Sequence, residues 1–287
     1  MSERVNNFTV EPMGRFDEWM VKSIDPTNPE LAARLGQEHI AYSFTLEHVP
    51  DLVPRVLPTD QDDTQIVTER LIGLGQVKAA DMLVVIDGLQ AGIPTSDRLP
   101  NKTAKDYRQR LGGYIGTLFE AERLSDHQAA TIEDRANVSW LGVPAFDDEQ
   151  VFVHTDPQKG HFGYSIKAGL RKPKVYDLEQ AHFGNPLVDP TWIRTRHPQY
   201  ARVVDEHLAQ KYDSEPTKLE SLPHATAFFS DWLLAKGMYD RMHQPRGNAF
   251  DNLSSAYGRV MLTHPRLRTV AEKVGQVASN LREHLAA

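Results

Sequence analysis

The stretch from Val151 to Asp189, VFVHTDPQKGHFGYSIKAGLRKPKVYDLEQAHFGNPLVD, constrains the chain most, because two short apolar runs within it each end in a carboxylate. Val151, Phe152 and Val153 lead into His154, Thr155 and Asp156, and Lys174, Val175 and Tyr176 lead into Asp177. β-Branched and aromatic residues bounded by Pro and Gly read as short strands, so both carboxylates fall at strand ends. The two runs, joined through Gly160, Gly163 and Gly169, are expected to form one ribbon that holds Asp156 and Asp177 side by side. In that arrangement one carboxylate can accept a proton while the other holds a divalent cation.

His154-Thr155-Asp156, then Val175-Tyr176-Asp177-Leu178-Glu179, then Gly184-Asn185-Pro186-Leu187-Val188-Asp189, resembles the aminoglycoside phosphotransferase and choline kinase family. The family pattern is His-Gly-Asp-x-x-x-x-Asn, an apolar strand ending in Asp, and Gly-Asp-Pro with a further Asp. The resemblance implies a bilobal protein kinase-like α+β fold, with a small strand-rich N-lobe (1–92) that binds nucleotide and a larger, mainly helical C-lobe (93–287) for catalysis and substrate. It implies ATP and Mg²⁺ as cofactors and phosphoryl transfer to the hydroxyl of a small molecule, with Asp156 as the base and Asp177 on the metal. His154 would brace the catalytic loop through backbone, and Asp189 would support it from below. The chain departs from the pattern at Thr155, where the family has Gly, and at His161, where it has the metal-binding Asn. Mg²⁺ prefers oxygen ligands and imidazole suits softer ions, so His161 points to Mn²⁺ as an alternative metal.

In kinases a strand lysine pairs the α- and β-phosphates and a helix glutamate holds it. Lys22, in the run Trp19 to Ile24, takes the first role, and the N-terminal strand pair is expected around Phe8 and Val10, with a turn at Pro12 to Arg15. Asp25-Pro26-Thr27-Asn28-Pro29-Glu30 starts a helix to about Glu47, with Leu31, Leu35, Ile40 and Phe44 apolar. Glu38, at its middle, is the partner expected for Lys22, with Glu30 and Glu47 as competitors. After Pro-punctuated Val49 to Pro58 and the polar turn Asp60 to Asp63, Thr64 to Leu71 reads as the hinge strand. Topology then places the backbone of Glu69, Arg70 and Leu71 against the nucleotide base, so Glu69 and Leu71 join Lys22 and Glu38 as cofactor-binding residues. The N-lobe lacks a G-x-G-x-x-G loop and offers only Gly14 between its first two strands.

Further on, the spacing predicts a helix within 76–92, one from about Thr103 to Leu124 and one from Asp126 to Trp140. Gly112, Gly113 and Gly116 in the second suggest that something packs close to its backbone. Four more helices are expected at about 198–212, 225–241, 248–263 and 267–285, with Trp192, Phe228, Phe229, Trp232 and Tyr239 in the core.

With 287 residues and 40% apolar content the chain can bury a sizeable core, and a net charge of −7 argues against a general nucleic-acid binder. An acidic surface suits a cationic substrate, although it is also ordinary for a soluble protein. The absence of Cys removes disulfides, thiol catalysis and Cys-based zinc sites. No apolar run approaches the ~18 residues of a membrane span, and MSERVNNFTVEPMGRF has no apolar signal core, so a cytoplasmic protein without membrane partners is expected. Two other readings stay open on sequence: a kinase-like binding protein with weak catalysis, and a metal-dependent hydrolase built on His154, Asp156, His161, Asp177 and His182.

Overall fold

The computed structural model describes residues 3–5, 8–13, 19–25, 27–57, 64–167 and 170–242, with side chains from Trp19 onward. The turn at 14–18 with Gly14, the polar turn at 60–63, Gly169 and the helices expected at 248–263 and 267–285 lie outside the described residues. Two compact units emerge: 1–104 with 145–219, and 105–144 with 220–287.

The first unit begins with a five-stranded antiparallel sheet built from β1 (Glu3–Val5), β2 (Phe8–Met13), β3 (Trp19–Ser23), β4 (Val56–Leu57) and β5 (Gln65–Glu69), in the order β1-β2-β3-β5-β4. Lys22 pairs with Val10 on one side and Ile66 on the other, so it sits in a central strand with its backbone fixed from both flanks. Helix α1 (Pro29–His48) starts where Asn28 accepts hydrogen bonds from the Glu30 and Leu31 backbone, satisfying donors that the first turn leaves open. Its buried stripe runs through Leu31, Leu35, Glu38, Tyr42 and Thr45, at steps of four, three, four and three. Glu38 is therefore on the buried face, and Ile40, expected inside, is 45% exposed.

Helix α2 (Ala79–Gly92) follows, and beyond the second unit's insertion come β6 (Val151–Val153), β7 (Phe162–Lys167), β8 (Leu170–Val175), β9 (His182–Gly184), α5 (Val188–Arg196) and α6 (Ala201–Lys211). The single ribbon expected from the two apolar runs does not form. β6 pairs with β9, Phe152 opposite Phe183, whereas β8 pairs with β7, Gly163 opposite Lys174. β8 takes the nearer antiparallel partner, β7, from which two residues separate it, and β6 is left to pair with β9, which lies farther along the chain than β8. The 3₁₀ turn Pro198–Tyr200 takes the place of the first residues of the helix expected at 198, and α5 precedes it. Gly163 is required where it stands: a Cβ there would lie 2.7 Å from Leu71 Cβ and 3.1 Å from the Ile72 carbonyl. That close approach lets Ile72 and Tyr164 exchange backbone hydrogen bonds of 2.9 and 2.8 Å, which tie the hinge to β7.

The second unit contains most of α3 (Ala104–Glu120), α4 (Asp126–Ser139) and the greater part of α7 (Pro216–Met242). Ser125 and Gln128 form a capping box at the start of α4. Tyr107 meets Phe229 and Trp232 edge-on at 5.3 and 5.0 Å, and Trp140 meets Phe228 at 5.1 Å. Arg135 and Asp231 form a buried ion pair beside them. Helix α7 starts nine residues earlier than the expected 225, passing through Pro223. Among the described residues no helix is long and apolar enough to cross a membrane.

The glycines of α3 overturn one expectation. Gly112, Gly113 and Gly116 are exposed, and among the described residues an added Cβ at any of them would meet nothing within 4 Å. They only cost helix stability, so Gly112→Ala and Gly116→Ala should each stabilise the protein by about 0.5–1 kcal/mol. Gly163→Ala should destabilise it by about 1–3 kcal/mol because Leu71 and the Ile72 carbonyl must move. Chemical denaturation of the three variants tests both signs, and equal shifts at all three positions would contradict this packing.

Candidate active site

Lys22 is the centre of the polar cluster in the first unit. Its Nζ lies 2.7 Å from Glu38 Oε2, 2.6 Å from Asp177 Oδ1 and 3.2 Å from Glu179 Oε2, and Glu179 is also paired with Arg34. Glu30 and Glu47, the competitors for Lys22, are not among its partners: Glu47 pairs with Arg98 at 3.0 Å. Two cationic side chains thus face three carboxylates, so the cluster carries one negative charge in excess when all three are ionised, a charge that would attract a divalent cation. Burial pushes the Glu38 carboxyl up to about 7 despite the pull of Lys22. Burial would also raise Asp177, but the charges of Lys22 and His161 outweigh it and hold that group at about 2. For Lys22 burial opposes the charged form, yet the three carboxylates push its pKa well above the ordinary lysine range.

The loop carrying Asp156 is fixed from below by a buried carboxylate. Asp189 at the start of α5 accepts from the backbone N–H groups of His154 and Thr155, each at 2.8 Å. Burial pushes Asp189 up to about 6 in spite of those bonds, so it is charged at neutral pH and able to accept both. Thr155 takes φ +76°, a left-handed conformation that a β-branched residue rarely adopts. This is the position where the resembling family has Gly, and the bonds from Asp189 together with Thr155 Oγ1 donating to the Gln180 carbonyl at 3.1 Å hold the strained backbone. His154 donates through Nε2 to the Tyr176 carbonyl at 2.9 Å, joining the loop to the segment that carries Asp177. Asp177 itself has φ +67°, and its backbone N–H donates to the Tyr42 hydroxyl at 3.1 Å.

Asp156 is half-buried, and Gln158 donates to its Oδ2 at 2.8 Å. Among the described residues Oδ1 has no partner, which leaves it open to a substrate proton. His161 connects the two carboxylates of the site: Nδ1 donates to the Asp156 carbonyl at 2.9 Å and Nε2 lies 3.2 Å from Asp177 Oδ2. With Nδ1 donating to the carbonyl, Nε2 is the nitrogen that faces the carboxylate, and a proton or a metal ion shared between the two makes such a contact favourable.

The metal donors fit a hard cation. Glu38, Asp177 and Glu179 present one oxygen each within 4.8 Å of one another, an all-oxygen set of the kind Mg²⁺ takes. The histidine-rich set of the hydrolase reading is not assembled: among the described residues the ring of His154 is turned to Tyr176, and His182 Nδ1 lies 2.8 Å from Thr155 Oγ1. Glu179 and Arg34 were missed on sequence. The spacing of Glu179 two residues after Asp177 was a usable signal, whereas Arg34 reaches the site only through the packing of α1.

At the hinge, the Glu69 side chain is occupied structurally, 3.4 Å from Arg55 Nε and 3.5 Å from buried Lys174, which also donates to the Val53 carbonyl at 2.8 Å. Leu71 is buried against Gly163, and no described residue hydrogen-bonds its backbone, the state in which a backbone can read a nucleotide base.

This arrangement defines a protein kinase-like fold. Among the solved structures of that fold, the chain is similar to a choline kinase and two phosphotransferases. Choline kinase LicA from Streptococcus pneumoniae superposes with a TM-score of 0.60 at 12% identity, covering 92% of this chain and 94% of its own. Macrolide 2'-phosphotransferase MphH from Brachybacterium faecium gives 0.60 at 13%, covering 89% and 90%. The GDP complex of aminoglycoside 2'-phosphotransferase-IIIa gives 0.60 at 12%, covering 88% of each chain. No family model matches the sequence, and no curated protein matches it.

The Glu38 carboxyl gives a pH signature. Its folded value near 7 lies above the ordinary 4.5, so the folded metal-free protein holds a proton that the unfolded chain releases. The resulting stability is present below about pH 4.5 and is lost as pH rises through about 7. Glu38→Gln should lack that decline, and melting curves in chelator from about pH 5 to pH 8 read the difference. Parallel pH profiles for the two proteins would contradict the assignment.

Proposed function

We propose that this protein is a phosphotransferase that moves the terminal phosphoryl group of a nucleoside triphosphate, ATP in the first instance, to the hydroxyl of a small molecule. The observation that carries this reading is the convergence of the Lys22–Glu38 pair on Asp177, with the open Oδ1 of Asp156 on the adjoining loop. Residues 1–92 form the nucleotide-binding lobe in this reading and 93–287 the catalytic and substrate lobe.

Asp156 accepts the proton as the acceptor oxygen bonds to phosphorus and the bond from phosphorus to the leaving nucleoside diphosphate oxygen breaks. Lys22 holds the nucleotide's phosphates once it shares its carboxylate partners with a cation, and Glu38 keeps it oriented. The Leu71 backbone reads the base, with Glu69 bracing the strand before it. Mg²⁺ held by Asp177, Glu179 and Glu38 would offset the charge of the transferring group, and His161 faces the same position with its imidazole. A weakly catalytic binding protein is the second reading, favoured by His161 in the place of an Asn. Phosphoryl transfer from ATP and GTP to a panel of hydroxyl compounds separates the two, since nucleotide binding with no transfer to any acceptor or to water would select the second.

Asp156→Ala should lower turnover by about 10² to 10⁴ with nucleotide KM nearly unchanged, because a positioned base acts in the transition state. Steady-state kinetics that retain wild-type turnover would remove Asp156 from the role. Asp177→Asn should weaken Mg²⁺-dependent nucleotide binding, measured by titration with and without the metal. His161→Asn should shift metal preference from Mn²⁺ toward Mg²⁺, since imidazole suits the softer ion. Initial rates with each ion decide it, and identical Mn²⁺ to Mg²⁺ ratios would place His161 off the metal.

A further inference from the structure

The loop that carries Asp156 bears two further basic side chains with different surroundings. His161 faces Asp177, as described above, and stacks on the ring of His154 at 5.9 Å. Lys159, three residues beyond Asp156, stands with its Nζ 5.7 Å from the centre of the Tyr200 ring. The His197 ring is 5.6 Å from Tyr200 and 6.0 Å from Trp192, and Arg196 lies over the Trp192 ring at 5.5 Å. Lys159, His197 and Tyr200 thus form a patch in which Lys159 comes from the same loop as Asp156.

The patch is rich in donors and poor in acceptors. Among the described residues no carboxylate pairs with Lys159, and the Tyr200 hydroxyl has no hydrogen-bond partner. His197 Nε2 is buried without a partner, the kind of orphaned polar atom that a protein ordinarily satisfies. The nearby acidic side chains are committed elsewhere: Asp205 to Arg194 at 2.7 Å, Asp189 to the loop backbone, and Asp177 to Lys22. Burial, then the charges of Lys159 and Arg196, push His197 below its ordinary pKa, which places all three groups within one local field. A neutral imidazole N–H, a phenol and an ammonium with no carboxylate among them match an oxygen-rich anion.

We propose that the acceptor substrate bears an anionic group, held by Lys159, His197 and Tyr200, beside the hydroxyl that it presents to Asp156. The inference rests on the phosphotransferase reading for the hydroxyl, but the anion site itself can be measured without nucleotide. It runs against the net charge of −7, which by itself suits a cationic substrate. A charge at hydrogen-bond distance outweighs a diffuse field that salt screens beyond about 8–10 Å. Lys159 is a binding residue in this account, and it takes no part in moving the proton.

The test uses the full chain and polyols matched except for charge: D-gluconate, D-glucitol, 1-amino-1-deoxy-D-glucitol and D-glucitol 6-phosphate. Calorimetric titration should show one of the two anions binding at least about tenfold more tightly than the neutral polyol and the amine. Which anion it is distinguishes a carboxylate site from a phosphate site. Lys159→Met should abolish the preference, and Lys159→Glu should turn it toward the amine, with unchanged melting temperatures showing that both variants fold. Amine or neutral polyol binding as tightly as the anions would overturn the proposal. So would an anion preference that survives Lys159→Met, or the absence of binding by both anions. Wild-type protein that binds the anion but neither ATP nor GTP would count against the phosphotransferase reading and leave the anion site standing.

Discussion

The ammonium group of Lys22 ties together three segments that lie far apart in the chain. It comes from a central strand, and its partners come from the middle of α1 and from the turn at 177–179, 16, 155 and 157 residues away. Half-buried charges of this kind are stable only while they are balanced: removing one member of a buried pair typically costs about 3–5 kcal/mol, because the other is left uncompensated. The position of α1 against the sheet, the path of the Asp177 turn and the spacing of the three carboxylates are therefore mutually dependent. The same geometry leaves one negative charge in excess when all three are ionised, so the features that hold the site together also prepare it for a cation.

A second dependence runs through Asp189. Two backbone bonds from one buried carboxylate hold Thr155 in a left-handed conformation whose strain is on the order of 1–3 kcal/mol. A glycine there would adopt it freely, but Thr155 contributes an Oγ1 bond to the Gln180 carbonyl that glycine lacks. That bond links the loop of Asp156 to the segment just beyond Glu179. These bonds restrain the loop in a conformation that leaves Asp156 Oδ1 without a partner among the described residues.

Charge works at two scales in this molecule. The acidic total sets solubility and the long-range field, whereas recognition depends on groups in contact. Lys159 beside the catalytic loop and the three carboxylates around Lys22 have opposite local signs within the same unit, so neither is predictable from a net charge. The acidic total suits a cationic substrate but is equally ordinary for a soluble surface, whereas Lys159, on the loop of Asp156, is a local positive group.

The sequence by itself determined the local elements and the chemistry-bearing positions. Asn28 and Pro29 mark the start of α1 because capping is a property of neighbouring residues, and the strand before Lys22 and the runs before Asp156 and Asp177 follow from alternation and chain stiffness. A motif of short span likewise brought Asp156, His161 and Asp177 forward together. Only the tertiary structure decided which strands pair. β8 joins β7, the strand just before it, whereas β6 passes over both and joins β9, and a run of three apolar residues carries no information about its partner. It also decided that Glu38 faces inward and Ile40 outward, a choice set by where Lys22 and the sheet lie and not by hydrophobicity. Arg34, Lys174 and the patch at Lys159 and His197 became visible only when segments remote in sequence met. Contacts of that kind depend on packing between elements, which local spacing does not encode.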